Sequence, residues 1–221
     1  MKLEAGWVRV AASDVANFLA CGHLTRLDLL SARGELRPPH EYDVGFHDLV
    51  ARGEAHERAV LDGFRARGWS VAEIAAQPDG DAARATLAAI GSGVDVVYQG
   101  VLLAVQRDGP ALFGRPDFLV RAGLVETPDG VPVHNGPHYE VVDAKLARSA
   151  KARAVAQVGF YSALLAGVQG ISPRWMYLAL GDGEFTGLKV SDYAAYERQA
   201  RRRLAAFVAD DGADAPSRLM E

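Results

Sequence analysis

The stretch YEVVDAKLARSAK, residues 139–151, sets the tightest limit on how this chain can fold. Tyr139, Val141 and Val142 are strand formers. Alternation along a strand puts Tyr139, Val141, Asp143 and Lys145 on one face and Glu140, Val142 and Ala144 on the other. A carboxylate or an ammonium group buried without a partner is expensive. Asp143 and Lys145 therefore need each other, a metal ion or water, at the edge of a core. Taken alone, the pair reads as an ion pair at the rim of a sheet.

Asp117 changes that balance. It stands in GRPDFLV directly after Pro116, and a proline marks a bulge or a strand end that re-aims its neighbour. On an adjacent strand, Asp117 would approach Asp143. Two close carboxylates repel unless a cation joins them, and a hard divalent ion with oxygen ligands suits such a pair. His56 adds a third candidate, because Leu49, Gly53, His56, Val60 and Phe64 recur at helical spacing. Its other reading is a hydrogen-bonded core histidine. After the lysine, Arg153, Gln157 and Tyr161 share one helix face, either as part of a site or as a polar seam. Arg148, Lys151 and Arg153 form a short basic approach able to meet phosphates, or a solvated helix start.

The surrounding pattern predicts an α/β chain. A helix is expected from Ser13 to about Arg33 and another from about Val44 to Arg67. GWSVAEIA reads as a strand and PDGDAARATLAAIGSG as a capped helix. Residues 94–105 and 111–122 read as two strands flanking the turn QRDGP. The strand at 139–145 follows, then a helix over about 149–168. RWMYLALG and EFTGLKV make a strand pair around the glycines of LGDGE, and a last helix runs from about Ser191 to Val208. The order suggests a mixed sheet with helices on both faces.

Composition narrows the setting. The 221 residues are 49% hydrophobic and 24% charged with a formal charge of −4, so any nucleic-acid contact must come from a local patch. Only one cysteine is present, which excludes an internal disulfide and suggests a reducing cytoplasm. No run reaches the roughly 18 apolar residues of a membrane span. His23, His40, His47, His134 and His138 have no mutual ligand spacing.

In this order the residues resemble the PD-(D/E)XK nuclease superfamily, specifically its RecB-like branch. Gly53 and His56 lie on the first core helix, RPD falls at 115–117, DAK at 143–145, and Gln157 with Tyr161 matches the branch's Q-x-x-x-Y motif. The match spans roughly Ser13 to Leu180. FLACGHLTRLDL and VVDAKLARSAK are similar to a bacterial RecB-like nuclease family, related to the CRISPR-adaptation nucleases and often attached to helicase-like domains.

The resemblance implies a restriction-endonuclease-like core in αβββαβ order, a mixed central sheet flanked by helices. That core would cover about 44–190 of a single domain, 1–221, with an N-terminal helix at 13–33, a C-terminal helix and a tail at 209–221. It also implies Mg²⁺ or Mn²⁺ held by His56, Asp117, Asp143 and the backbone carbonyl of Ala144, with Mn²⁺ favoured by the imidazole. Lys145 would position the attacking water or stabilise transition-state charge. Gln157 and Tyr161 would orient the lysine, the phosphate or the strand. Arg115, Arg148, Lys151 and Arg153 would contact nucleic acid.

Nucleases of this branch that trim CRISPR prespacers, and several helicase-associated relatives, hold an iron–sulfur cluster on four cysteines. Cys21 stands where the first would be, but one thiolate cannot hold a cluster. Either the chain lacks the cluster or it stops before the segment carrying the other ligands, and Cys21 is read as a small buried helix residue. The expected function is a metal-dependent deoxyribonuclease in DNA repair, recombination or defence, acting on single strands or duplex ends, with a helicase or another nucleic-acid enzyme as a partner. The alternative, motivated by the short chain and the missing cysteines, is a non-catalytic nucleic-acid-binding or scaffold module of a larger assembly.

Overall fold

The structure is a computed structural model and describes residues 1–4, 7–37, 44–105, 109–131 and 138–210. The strand formers of 139–145 become β8 (Tyr139–Lys145), which lies inside a six-stranded sheet. The sheet order is β10 (Phe185–Lys189), β9 (Trp175–Leu180), β8, β7 (Phe118–Arg121), β4 (Val96–Tyr98) and β3 (Val71–Glu73). β8 runs parallel to β9, and β3 to β4, while the other pairs are antiparallel. Alternation then sorts the side chains. Phe118, Val120, Val142 and Tyr177 pack with Leu61 and Phe64 of α3 (Val44–Ala66). Leu119, Val141, Met176 and Leu178 pack with Phe160 and Leu165 of α5 (Ala152–Gln169). Both faces of the sheet are covered by helices, which makes this a mixed α/β architecture.

The two strands expected at 94–105 and 111–122 each break in two. Their far halves, β5 (Leu102–Ala104) and β6 (Ala111–Gly114), leave for a second sheet of order β1 (Lys2–Glu4), β2 (Trp7–Ala11), β6, β5. The hairpin pairing persists across the break, with Val96 opposite Val120 and Leu103 opposite Phe113. Two local features cause it. Pro116 brings no N–H to a ladder, and Gln99 takes φ +55°, a conformation that bends the partner strand. The β1–β2 hairpin has no counterpart in the sequence reading. Of the turn QRDGP, residues 106–108 lie outside the described residues.

The helix expected over 13–33 is two helices, α1 (Ala12–Ala20) and α2 (Gly22–Ala32). Gly22 is a poor helix propagator, and at Cys21 the chain is extended, with φ −160° and ψ 110°. The Cys21 Sγ accepts the Leu24 N–H at 3.4 Å, so this residue is an exposed cap and not a buried helix residue. On the α5 side of the main sheet, residues of α1, α2, α4 (Asp79–Ser92) and α6 (Val190–Ala209) join one apolar cluster. No helix among the described residues is long and apolar enough to cross a membrane. His40, His134 and residues 211–221 of the expected tail lie outside the described residues.

Candidate functional site

Antiparallel pairing of Phe118 with Val142 means that one further step brings Asp117, at the head of β7, opposite Asp143 on β8. Asp117 Oδ2 accepts the Ala144 N–H at 2.8 Å, which ties this carboxylate to the residue between Asp143 and Lys145. Asp143 is only 1% exposed. The Lys145 ammonium forms an ion pair with Asp143 Oδ2, so the lysine offsets the charge of that buried carboxylate. Burial pushes the Asp117 carboxyl well above its ordinary range, and the charges of Asp143 and Glu57 push it the same way. Burial also raises Asp143, against the opposing pull of Lys145. A pair raised in this way holds a proton, or binds a cation in its place.

Helix α5 supplies the floor. Gln157 Nε2 donates to the Tyr161 hydroxyl at 3.0 Å, and burial together with the charges of Asp143 and Asp117 keeps that phenol protonated. Gly114 of β6 makes room for it, because a Cβ there would lie 2.9 Å from Tyr161 Cδ1 and 2.9 Å from Leu164 Cδ1.

A groove of about 330 Å³ opens beside the pair, lined among others by Lys145, Ser149, Lys151, Arg153 and Gln157. It meets the start of α5, where no side chain caps the helix and no acid sits in the first turn. Cations at a helix N-terminus oppose the helix dipole. Lys151 and Arg153 in that place are favourable once an anion arrives, because the free N–H groups and both cations then face it.

The remaining candidates fall elsewhere. The His56 ring nitrogen Nε2 lies 3.0 Å from the carbonyl oxygen of Ala179, so the ring donates there and ties α3 to β9. Arg148 is exposed and lies outside the groove lining. Arg115 lines a different cavity, with Arg9 and Phe113.

Two residues that the sequence reading missed stand closer to the pair. Glu57, next to His56, acts by its charge on both Asp117 and Asp143, and accepts a hydrogen bond from Gln99 Nε2. Gln99 in turn gives its backbone N–H to the Asp117 carbonyl at 2.8 Å. The neighbouring Tyr98 hydroxyl is raised to about 12 by burial and by Glu57. The interrupted strand at Gln99-Gly100 is the signal that could have found this link.

Among the described residues no group of three or more His, Cys, Asp and Glu side chains is placed to hold a metal. The buried Asp143 and the half-buried Asp117 still suit Mg²⁺, which is commonly held by one or two carboxylates plus waters and substrate phosphates. The four-ligand set that includes His56 is not assembled in this arrangement. No family model matches the chain, and no curated protein is similar enough to count as a match.

Proposed function

We propose that this chain is a metal-dependent deoxyribonuclease of the PD-(D/E)XK type, with a restriction-endonuclease-like core. The observation that carries the reading is the bond from Ala144 to Asp117, which holds two carboxylates, that of Asp143 buried, and a lysine at one strand end. Asp117 and Asp143 would hold Mg²⁺, with the Ala144 carbonyl as a further ligand, and the ion would supply charge neutralisation at the phosphate and a more acidic bound water.

The other tasks belong to side chains of the chain itself. Lys145, anchored by Asp143, points its charge at the phosphate, where negative charge grows in the transition state. Tyr161, kept neutral and oriented by Gln157, lies beside Asp143 as a fixed dipole. Lys151, Arg153 and the uncapped start of α5 bind phosphates next to the one that is cut, and Arg148 extends that approach. The setting we infer is cytoplasmic DNA repair, recombination or defence, alongside a helicase or another nucleic-acid enzyme.

Labelled single- and double-stranded DNA, incubated with purified protein in Mg²⁺ or Mn²⁺, tests the reading. Cleavage is expected from the wild type, with a loss of at least about 100-fold in Asp143→Ala. An equal background from both proteins would assign the chain to the other class, a non-catalytic nucleic-acid-binding module.

A further inference from the structure

Gly114 faces Tyr161 and Leu164, so its neighbours Phe113 and Arg115 turn to the opposite side of β6. There they line a cavity of about 540 Å³, together with Lys2, Arg9, Ser13 and Asp79. The acids of its wall are already engaged. Asp79 pairs with Arg9, whose guanidinium lies 4.4 Å over the Phe113 ring, and Asp14 takes the Met1 ammonium at 2.7 Å. Lys2 and Arg115 have no acidic partner among the described residues, and the Arg115 Nε is buried without a hydrogen-bond acceptor. A buried guanidinium N–H that donates to nothing is costly. Its planar fork matches the oxygens of a phosphate.

We propose that this cavity binds a phosphate monoester, with Arg115 as the fork and Lys2 and Arg9 as flanking cations. Its volume falls in the range of small-ligand sites, enough for a nucleotide as well as for its phosphate. Ser13, in the first turn of α1, adds a hydroxyl donor at the wall. Arg115 and Asp117 are two residues apart, at most about 7 Å along the chain. A strand whose terminal phosphate sits in the cavity would therefore lay a nearby phosphodiester at the carboxylate pair. That last link rests on the nuclease reading, whereas the preference of the cavity for a phosphate monoester does not.

The test uses the full chain carrying Asp143→Asn, which suppresses hydrolysis. Fluorescence anisotropy would compare an eight-nucleotide thymidine strand bearing a 5′-phosphate, a 3′-phosphate or neither. Calorimetry would measure inorganic phosphate and thymidine 5′-monophosphate. A terminal phosphate is expected to tighten strand binding about tenfold, a gain lost in Arg115→Gln while the unphosphorylated strand binds as before. Binding of inorganic phosphate or the mononucleotide that depends on Arg115, with strands indifferent to their ends, would support the site and make its source a free phosphate. Lys2→Gln, on the outer hairpin, should weaken the same gain and carries the comparison if Arg115→Gln melts early. If neither substitution changes the affinity of any phosphorylated ligand, the proposal is overturned, whatever the cleavage assay shows.

Discussion

The Ala144 N–H donates to Asp117 Oδ2 at 2.8 Å, so a backbone group of β8 fixes a side chain at the head of β7. An asparagine keeps an oxygen in that place, whereas an alanine leaves the N–H unpaired. Asp117→Ala is therefore expected to cost about 1–2 kcal/mol more stability than Asp117→Asn. Urea denaturation of the metal-free proteins measures the difference, and equal midpoints would show that water replaces the carboxylate.

His56 and the carboxylates divide their tasks differently from what a shared metal would require. The ring bonds the Ala179 carbonyl, so its loss removes a tie between α3 and β9. His56→Ala should lower stability by about 1 kcal/mol and change Mg²⁺ affinity less than about threefold, while Asp117→Asn and Asp143→Asn lower that affinity at least tenfold. Calorimetric titration with Mg²⁺ checks this. The affinity should also rise with pH, because the ion must displace the proton that the raised pair holds. A tenfold weakening in His56→Ala would restore the histidine to the ligand set.

How much of this was legible depended on how local each signal is. Asp143 and Lys145 declare their shared face through alternation, and Pro116 marks the strand end that aims Asp117. Gln157 and Tyr161 are one helical turn apart, so their contact is encoded in spacing alone. His56 and Glu57 are different. Adjacent helix residues point about 100° apart, and only the angle at which α3 crosses the sheet decides which one faces the pair. Arg115 stands apart from Lys151 and Arg153 through a similar one-step effect, since alternation carries it to the face opposite Gly114 and into a separate cavity. The split of the two long strands between sheets was hidden because the hairpin register is the same on both sides of Gln99 and Pro116.

Glu140 gives the clearest pH dependence away from the candidate site. It is 2% exposed, and its Oε1 accepts the Trp175 N–H at 2.9 Å. Burial raises its carboxyl above the ordinary range, with that N–H opposing in part. The folded chain thus holds the proton more tightly than the unfolded one. This contribution is fully present below the ordinary glutamate value and is lost as pH rises through the raised one. Glu140→Gln keeps the acceptor for that N–H and removes the charge that burial disfavours. Thermal melts should coincide at pH 4, and at pH 8 the variant should be more stable by about 1 kcal/mol. A gap that is constant with pH would mean that the charge is compensated in the fold.

Gly181, after β9, tests whether the segment following Lys145 is held by backbone contact. Its N–H donates to the Ala147 carbonyl at 3.2 Å, and a Cβ there would strike the Leu146 carbonyl oxygen and lie 2.9 Å from the Leu146 carbonyl carbon. Backbone cannot rotate away as a side chain can, so Gly181→Ala must displace the residue next to Lys145. We expect a loss of about 2 kcal/mol or more, and a fall in DNA cleavage larger than the lost stability explains. Gly183 is the matched control. Its φ of +87° makes alanine strained there by about 1 kcal/mol, but nothing lies within 4 Å of the added carbon. Gly183→Ala should therefore melt earlier yet cleave at the wild-type rate below its melting point. Equal cleavage rates in the two variants would show that Lys145 does not depend on the Gly181–Leu146 contact for its position.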